Sequence, residues 1–251
     1  MTSWFRTMRQ ARRISHRCSF CTSNTTKQPI FGIIAALTKD GVIGIDGVLP
    51  WKLRMENAPT NISLDRDRFV TLTSNKILIL GRRTFADEDP TGEHVKHARV
   101  CIVVSKSMNQ LDLVAVKRNN EVGPTVKLAR SLDEALDMAS NELLLVNDES
   151  THFDQGEVLK DDVLHKIQCW VAGGEMIYKE ALQHPNANVV HLTLVDMIAK
   201  QKGQQHYATI AHFPMDYLGR YGFQEKCWET MGGITFCLYK KHEALPRIQT
   251  T

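Results

Sequence analysis

From residue 31 onward, short apolar runs alternate with stretches in which apolar residues recur every three or four positions. Phe31–Leu37 (FGIIAAL), Lys76–Leu80 (KILIL), Val100–Val104 (VCIVV), Gln168–Val171 (QCWV) and Val189–Val195 (VVHLTLV) are too short for helices and rich in Ile and Val. They predict strands, and their near-continuous apolar character predicts a sheet covered on both faces. Leu64–Thr73, Leu132–Ala139 and Glu175–Leu182 predict helices between them. Such alternation predicts an α/β fold with a largely parallel sheet. Tyr221–Glu229 and Ile234–Lys240, on either side of Met231-Gly-Gly233, predict a terminal antiparallel hairpin. Two stretches break the alternation. Asn109–Pro124 reads as a polar loop around one short strand, and Asn141–Leu164 as an insertion whose apolar run, Leu143–Val146, is followed by an acidic segment without period. The expected architecture is a single domain over residues 31–251. Its mostly parallel central β-sheet is flanked by helices and closed by the C-terminal hairpin.

Composition changes this picture mainly at the N-terminus. The 251 residues are 43% hydrophobic and 24% charged, values that exclude collagen, coiled coil and a disulfide mini-protein. No apolar run approaches the roughly 18 residues of a membrane-spanning helix. The net charge of +3 is too small to imply nucleic-acid binding. Residues 1–30 carry Arg6, Arg9, Arg12, Arg13, Arg17 and Lys27 and no acid. Removing those six from 31 basic residues leaves 25 against 28 acids, so the remainder sums to −3. Trp4, Phe5, Met8 and Ala11 lie at near-helical spacing, mostly on a different face from the arginines. An Arg-rich, acid-poor, amphipathic leader is the pattern of a mitochondrial transit peptide. The other reading is a disordered basic extension, which would leave the protein cytoplasmic. Cys18 and Cys21 form a Cys-x-x-Cys with no second pair, so no metal site is expected. Cys101, Cys169, Cys227 and Cys237 lie in or near apolar runs and read as buried, reduced thiols.

Four motifs could carry chemistry, and each follows an apolar strand. Asp40-Gly-Val-Ile-Gly-Ile-Asp-Gly-Val-Leu-Pro-Trp51 brings three glycines and ends on a Trp fixed by Pro50. Taken alone, that Trp is either a core plug, the favoured reading, or the wall of a cleft. Gly81-Arg-Arg-Thr84 suits anion capture at a helix start, and equally two solvated arginines beside an N-cap. Ser105-Lys106-Ser107 is a weak phosphate motif. Ala172-Gly-Gly-Glu-Met-Ile-Tyr178 offers a glycine turn into a helix, without the full G-x-G-x-x-G fingerprint. In open α/β sheets ligands bind at the carboxyl ends of the strands. Three phosphate-suited turns on that edge point to a cofactor with several phosphates.

In order and content these pieces resemble the dihydrofolate reductase family. The matching segments are IIAALTKDGVIGIDGVLPW (33–51), DRDRFVTLT (65–73), KILILGRRTF (76–85), RVCIVVS (99–105), AGGEMIYKEAL (172–182), HLTLVD (191–196) and HFP (212–214). The resemblance implies NADPH-dependent reduction of 7,8-dihydrofolate to tetrahydrofolate, in support of one-carbon metabolism and thymidylate synthesis. It implies that Ala36, Ile43, Gly44 and Leu49 line the nicotinamide end. Gly81, Arg82, Arg83, Thr84, Ser105 and Lys106 would hold the adenosine side with its 2′-phosphate. Ala172, Gly173, Gly174, Glu175 and Tyr178 would surround the pyrophosphate and nicotinamide. Ile34 and Phe69 would sandwich the substrate's rings, with Ala36 and Leu49 beside them. Arg99 would pair with its glutamate α-carboxylate. Asp65 would be the catalytic carboxylate, with Thr193 hydrogen-bonded to it and Trp51 holding a water beside it. At 251 residues a fused thymidylate synthase domain does not fit, so a monofunctional, monomeric enzyme is expected, requiring neither membrane nor nucleic acid.

The match departs from the family in places. Several extra residues lie between Trp51 and Phe69 and leave two acids in play. Asp65 stands four residues before Phe69 and shares its helix face, whereas Glu56 suits a count from Trp51. Asp67 would point away. Ala86-Asp-Glu-Asp-Pro90, His97-Ala98, Ala172 and Ala211 replace the residues usual in the family. Two other functions compete: a pyrimidine reductase of riboflavin synthesis, against which Leu49-Pro-Trp51 and Arg99 argue, and a weakened relative that only binds nucleotide or RNA.

Overall fold

The computed structural model describes residues 27–53, 61–86, 95–109, 124–147, 162–199 and 208–242. Most of the leader, including Cys18 and Cys21, lies outside them. So do Glu56, Asp87–Pro90 and most of Asn109–Pro124.

The chain enters with β1 (Phe31–Thr38) and β2 (Val42–Ile45), then a 3-10 turn at Pro50–Lys52 and helix α1 (Ser63–Thr73). Strand β3 (Ile77–Gly81) leads into the short helix α2 (Arg82–Ala86), and β4 (Val100–Val104) and β5 (Thr125–Ala129) follow. Helices α3 (Leu132–Asn147) and α4 (Asp162–Lys166) precede β6 (Cys169–Val171), α5 (Glu175–Gln183) and β7 (Ala187–Val195). The chain ends with β8 (Ile210–His212), α6 (Met215–Arg220), β9 (Phe223–Met231) and β10 (Ile234–Lys241). The main sheet has the order β5-β4-β3-β6-β1-β7-β10-β9. The first six of these strands pair in parallel, and β10 and β9 add on antiparallel. This is the expected α/β architecture.

Side chains alternate cleanly along the central strands. Phe31, Ile33, Ala35 and Leu37 of β1 join one core with Leu132, Leu136, Ile177, Ala181 and Leu218 from α3, α5 and α6. Ile34 faces the other way, into a second core with Leu72, Phe85 and Leu164 from α1, α2 and α4. Helices therefore cover both faces, as continuous apolar strands require. Gly32 lies beside Trp170 in the register of β1 and β6, and the fully buried indole fills the space over it. A Cβ at Gly32 would stand 2.6 Å from the Trp170 ring. The hairpin turns through Gly232 and Gly233 at φ 57° and 80°, the paired left-handed geometry of a tight two-residue loop. Cys101, Cys169 and Cys237 are buried and form no disulfide among the described residues, and burial pushes Cys169 up to about 12.

The structure corrects the reading of one stretch and adds elements that the sequence did not announce. Helix α3 continues to Asn147, so Leu143–Val146 is its last turn rather than part of an unperiodic insertion. Leu144 and Leu145 are exposed there, which hid the helical phase of the run. Lys-containing β5 is a half-buried edge strand with no apolar run to announce it. The two-stranded sheet of β2 and β8 was also not foreseen, because its strands are three and four residues long. Among the described residues, no helix is long and apolar enough to cross a membrane.

Gly32→Ala should destabilise the protein by about 1–3 kcal/mol, the usual cost of overpacking. Denaturant unfolding monitored by Trp fluorescence measures this, and an unchanged midpoint would contradict the packing described.

Candidate active site

Strands β1 and β3 leave their carboxyl ends on either side of β6, where the chain reverses its direction of travel across the sheet. A cavity of about 700 Å³ opens at this place. Its floor is Ile34, Ala35 and Ala36 of β1 with Leu80 of β3. Ile43, Leu49 and Trp51 come from the segment after β1. Trp51 serves both roles its Pro-Trp setting allowed. It lines the cavity and also packs against Val195, Met197 and Ile234.

Helix α1 forms the opposite wall through Asp65 and Phe69, one turn apart on the same face. Asp67 is exposed. Asp65 is half-buried and is the one acid among the described residues lining the cavity. Burial pushes its carboxyl up to about 6 and outweighs the opposing hydrogen bond donated by the Thr193 hydroxyl. Thr193 is almost fully buried on β7, directly behind the cavity wall.

The far end is built on glycine. The N–H of Gly81 donates to the Gly173 carbonyl at 2.6 Å, drawing the turn after β3 against the turn after β6. A Cβ on Gly81 would lie 3.3 Å from the Gly174 nitrogen. Gly173 has φ +135°, and a Cβ there would meet the Thr84 hydroxyl at 2.9 Å, so only glycine fits without strain. Ala172, Gly173, Gly174, Thr84 and Tyr178 all line the cavity. The Tyr178 hydroxyl donates to the Ile34 carbonyl at 2.8 Å, locking α5 to β1.

Other anticipated residues stand apart. Gly44 belongs to β2, outside the lining. Arg82 is half-buried and Arg83 exposed, both just before Thr84. Ser105 is buried, and its hydroxyl accepts the Met108 N–H at 3.0 Å; Lys106 is exposed beside it. Glu175 turns from the cavity to Lys179 at 2.7 Å and accepts the His212 N–H at 3.2 Å. Arg99 precedes β4 and does not line the cavity, yet its Nε and Nη2 are buried without a hydrogen-bond partner among the described residues.

The sequence reading missed Ser63, Arg66 and Val70, which lie on the cavity side of α1 with Asp65 and Phe69. They form a neighbouring stripe, one position around the helix from Asp65, which i, i+4 spacing from Asp65 does not reach. It also missed Lys52, Lys96 and His97, for which no local pattern gave a signal. Arg130, likewise unmarked, braces the turn after β4 by donating from Nη1 to the Ser105 and Met108 carbonyls at 3.0 and 2.5 Å.

Fold and cavity together define an α/β protein with an apolar slot at the strand ends, a glycine turn at one side and, among the described residues, one acid at the other. A family model described as dihydrofolate reductase matches residues 30–217. A dihydrofolate reductase of Heliothis virescens is 30% identical over 168 residues, covering 64% of this chain and 70% of the relative. One from Mycobacterium leprae (strain TN) is 29% identical over 167 residues, covering 66% and 73%. A bifunctional dihydrofolate reductase-thymidylate synthase 1 of Arabidopsis thaliana is 27% identical over 174 residues, covering 67% of this chain but 27% of that longer one. The chain belongs to the dihydrofolate reductase family, a family of enzymes.

Asp65 also has a thermodynamic signature. Its folded-state pKa of about 6 exceeds the 3.8 of an unperturbed Asp, so its favourable contribution to folding is present below pH about 4 and lost as pH rises through 6. Asp65→Asn should therefore stabilise the protein above pH 6 by roughly 1–3 kcal/mol, with the gain vanishing near pH 4. Thermal unfolding of both proteins across that range tests the sign; a pH-independent difference would contradict it.

Proposed function

We propose that this enzyme reduces 7,8-dihydrofolate to 5,6,7,8-tetrahydrofolate with NADPH. The observation that carries this reading is the desolvated carboxyl of Asp65, the one acid among the described residues lining an apolar cavity, across from the glycine turn. A flat heterocycle fits between Ile34 and Phe69, where Asp65 can grip the amino and amide N–H groups of a pterin. The cofactor also suits the residues present. Gly173 and Gly174 offer backbone with no room for a Cβ against Thr84, as close approach of a pyrophosphate requires. Arg82, Arg83 and Lys106 follow the neighbouring strands β3 and β4 and supply positive charge on the adenosine side, favouring NADPH over NADH.

When bound, NADPH would supply hydride to the pterin C6, and the Asp65 carboxyl would assist delivery of the proton that completes the reduction at N5. The protein's part is positioning and exclusion of water. Ile43, Leu49 and Ala36 keep the slot apolar. Thr193 orients the Asp65 carboxyl, and Trp51 stands ready to hold a water near it. Arg99 lies outside the lining but keeps Nε and Nη2 without a hydrogen-bond partner among the described residues, and it is the cation we assign to a substrate carboxylate reaching past the cavity.

Asp65→Asn should lower turnover by about 100-fold or more, the usual share of general acid catalysis, with NADPH affinity nearly unchanged. Steady-state rates at 340 nm measure this. If Glu56→Gln has that effect and Asp65→Asn does not, the acid is Glu56. Arg99→Leu should raise KM for dihydrofolate about tenfold, the loss of one charge-assisted pair, and leave KM for NADPH in place. Equal effects on both would defeat the role given to Arg99.

A further inference from the structure

The face of α1 turned to the sheet carries Asp65, Arg68, Phe69 and Leu72, spaced i, i+3, i+4 and i+7. A helix packed on a sheet normally spends these positions on apolar residues. The cavity accounts for Asp65. It does not account for Arg68, which is absent from the lining. Arg68 Nε instead donates to His191 Nε2 at 3.3 Å. Its guanidinium carbon lies 5.7 Å from the centroid of the Phe236 ring, and His191 packs on that ring at 5.9 Å. His191 is 1% exposed.

The position of His191 gives the arrangement its meaning. His191 and Thr193 are two apart on β7 and so point to the same side of the sheet. Ile34 and Ala36 of β1 stand in register with them on one flank, and Leu238 and Phe236 of β10 on the other. The anchor of Arg68 and the partner of Asp65 are therefore successive side chains on one face of one strand. An imidazole accepts at Nε2 only when neutral and protonated at Nδ1, so the donor from Arg68 also selects the tautomer.

We infer that Arg68 and His191 are positioning residues: their hydrogen bond fixes α1 on β7 and thereby holds the Asp65 carboxyl within reach of Thr193. The inference rests on the reading of Asp65 as the acid that meets the substrate. Arg68 does not touch the cavity and acts through the placement of its helix. The bond from Thr193 opposes the desolvation of Asp65. If α1 drifts, that bond is lost and the carboxyl becomes harder to ionise. The other charged or titratable groups lining the cavity among the described residues are Lys52 from the 3-10 turn, Arg66 from α1, Lys96 and His97 from the segment before β4, and Tyr178 from α5. All stay in place in the variants below.

The test is the titration midpoint of the Asp65 carboxyl, followed by carbon-13 NMR in the ligand-free full chain and assigned with Asp65→Asn. Arg68→Met keeps the aliphatic stem and removes the donor. Arg68→Gln removes the charge but places an amide nitrogen where Nε stood. His191→Phe keeps the arginine and removes its acceptor. Arg68→Met and His191→Phe should each raise the midpoint by about half to one pH unit, the worth of one hydrogen bond. Arg68→Gln should stay near the parent value. Unchanged midpoints in Arg68→Met and His191→Phe would overturn the inference. Equal shifts in Arg68→Met and Arg68→Gln would also do so, because they would assign the effect to lost charge. Should His191→Phe not fold, the two Arg68 variants decide alone, since both residues suit a half-buried helix position. Turnover of dihydrofolate by the parent is measured alongside. Its absence would refute the proposed function without touching the NMR result.

Discussion

A carboxyl group in an apolar slot is expensive to ionise, and much of this structure surrounds that expense. Asp65 is desolvated by burial and recovers one hydrogen bond from Thr193. Burial outweighs the bond, so in the free protein the acid stays protonated to a higher pH than a surface aspartate. The arrangement requires α1, which carries the acid, and β7, which carries its partner, to keep a fixed separation. Tertiary contacts supply that. Leu72 is packed into the core under the helix. The Thr73 hydroxyl meets His97 Nε2 at 2.6 Å, and Phe69 sets its ring edge-on to the same imidazole at 5.4 Å.

The second side of the slot depends on backbone instead of side chains. Gly81 and the Gly173–Gly174 pair bring the ends of β3 and β6 close together, and a Cβ on Gly173 would collide with Thr84. Exposed amide groups can then face a ligand without a methyl group between them. Glu175, at the start of α5, does not compete for this space. Lys179 and the His212 N–H engage its carboxylate and hold it below the ordinary range, despite the opposing effect of its burial. The negative charge is thereby turned toward β8 and away from the turn.

Much of the fold could be read from the chain before any coordinates. The apolar runs at Phe31, Lys76, Val100 and Val189 are buried strands because each is covered on both faces, which leaves a continuous signal. Edge elements gave no such signal. Thr125–Ala129 is half solvated, and β2 and β8 are too short to show a period. Within the site, Asp65 and Phe69 were legible as a pair because one helical turn separates them. Arg66 shares that wall, but nothing in the sequence singled it out. Glu56 stayed open, since it lies outside the described residues.

The sequence by itself determined the element types, the parallel sheet, the glycine turns and the set of residues able to serve a reductase. These follow from local spacing, and spacing is a property of the chain. Tertiary structure decided which of those residues face one another. Ser105 and Glu175 were diverted into bracing, while Lys96 and His97 came to the cavity from a segment with no local pattern. Arg68 met His191 across 123 positions. Whether a charged side chain ends in solvent, in a cleft or against a buried imidazole depends on what packs over it, and that partner arrives from a distant part of the chain.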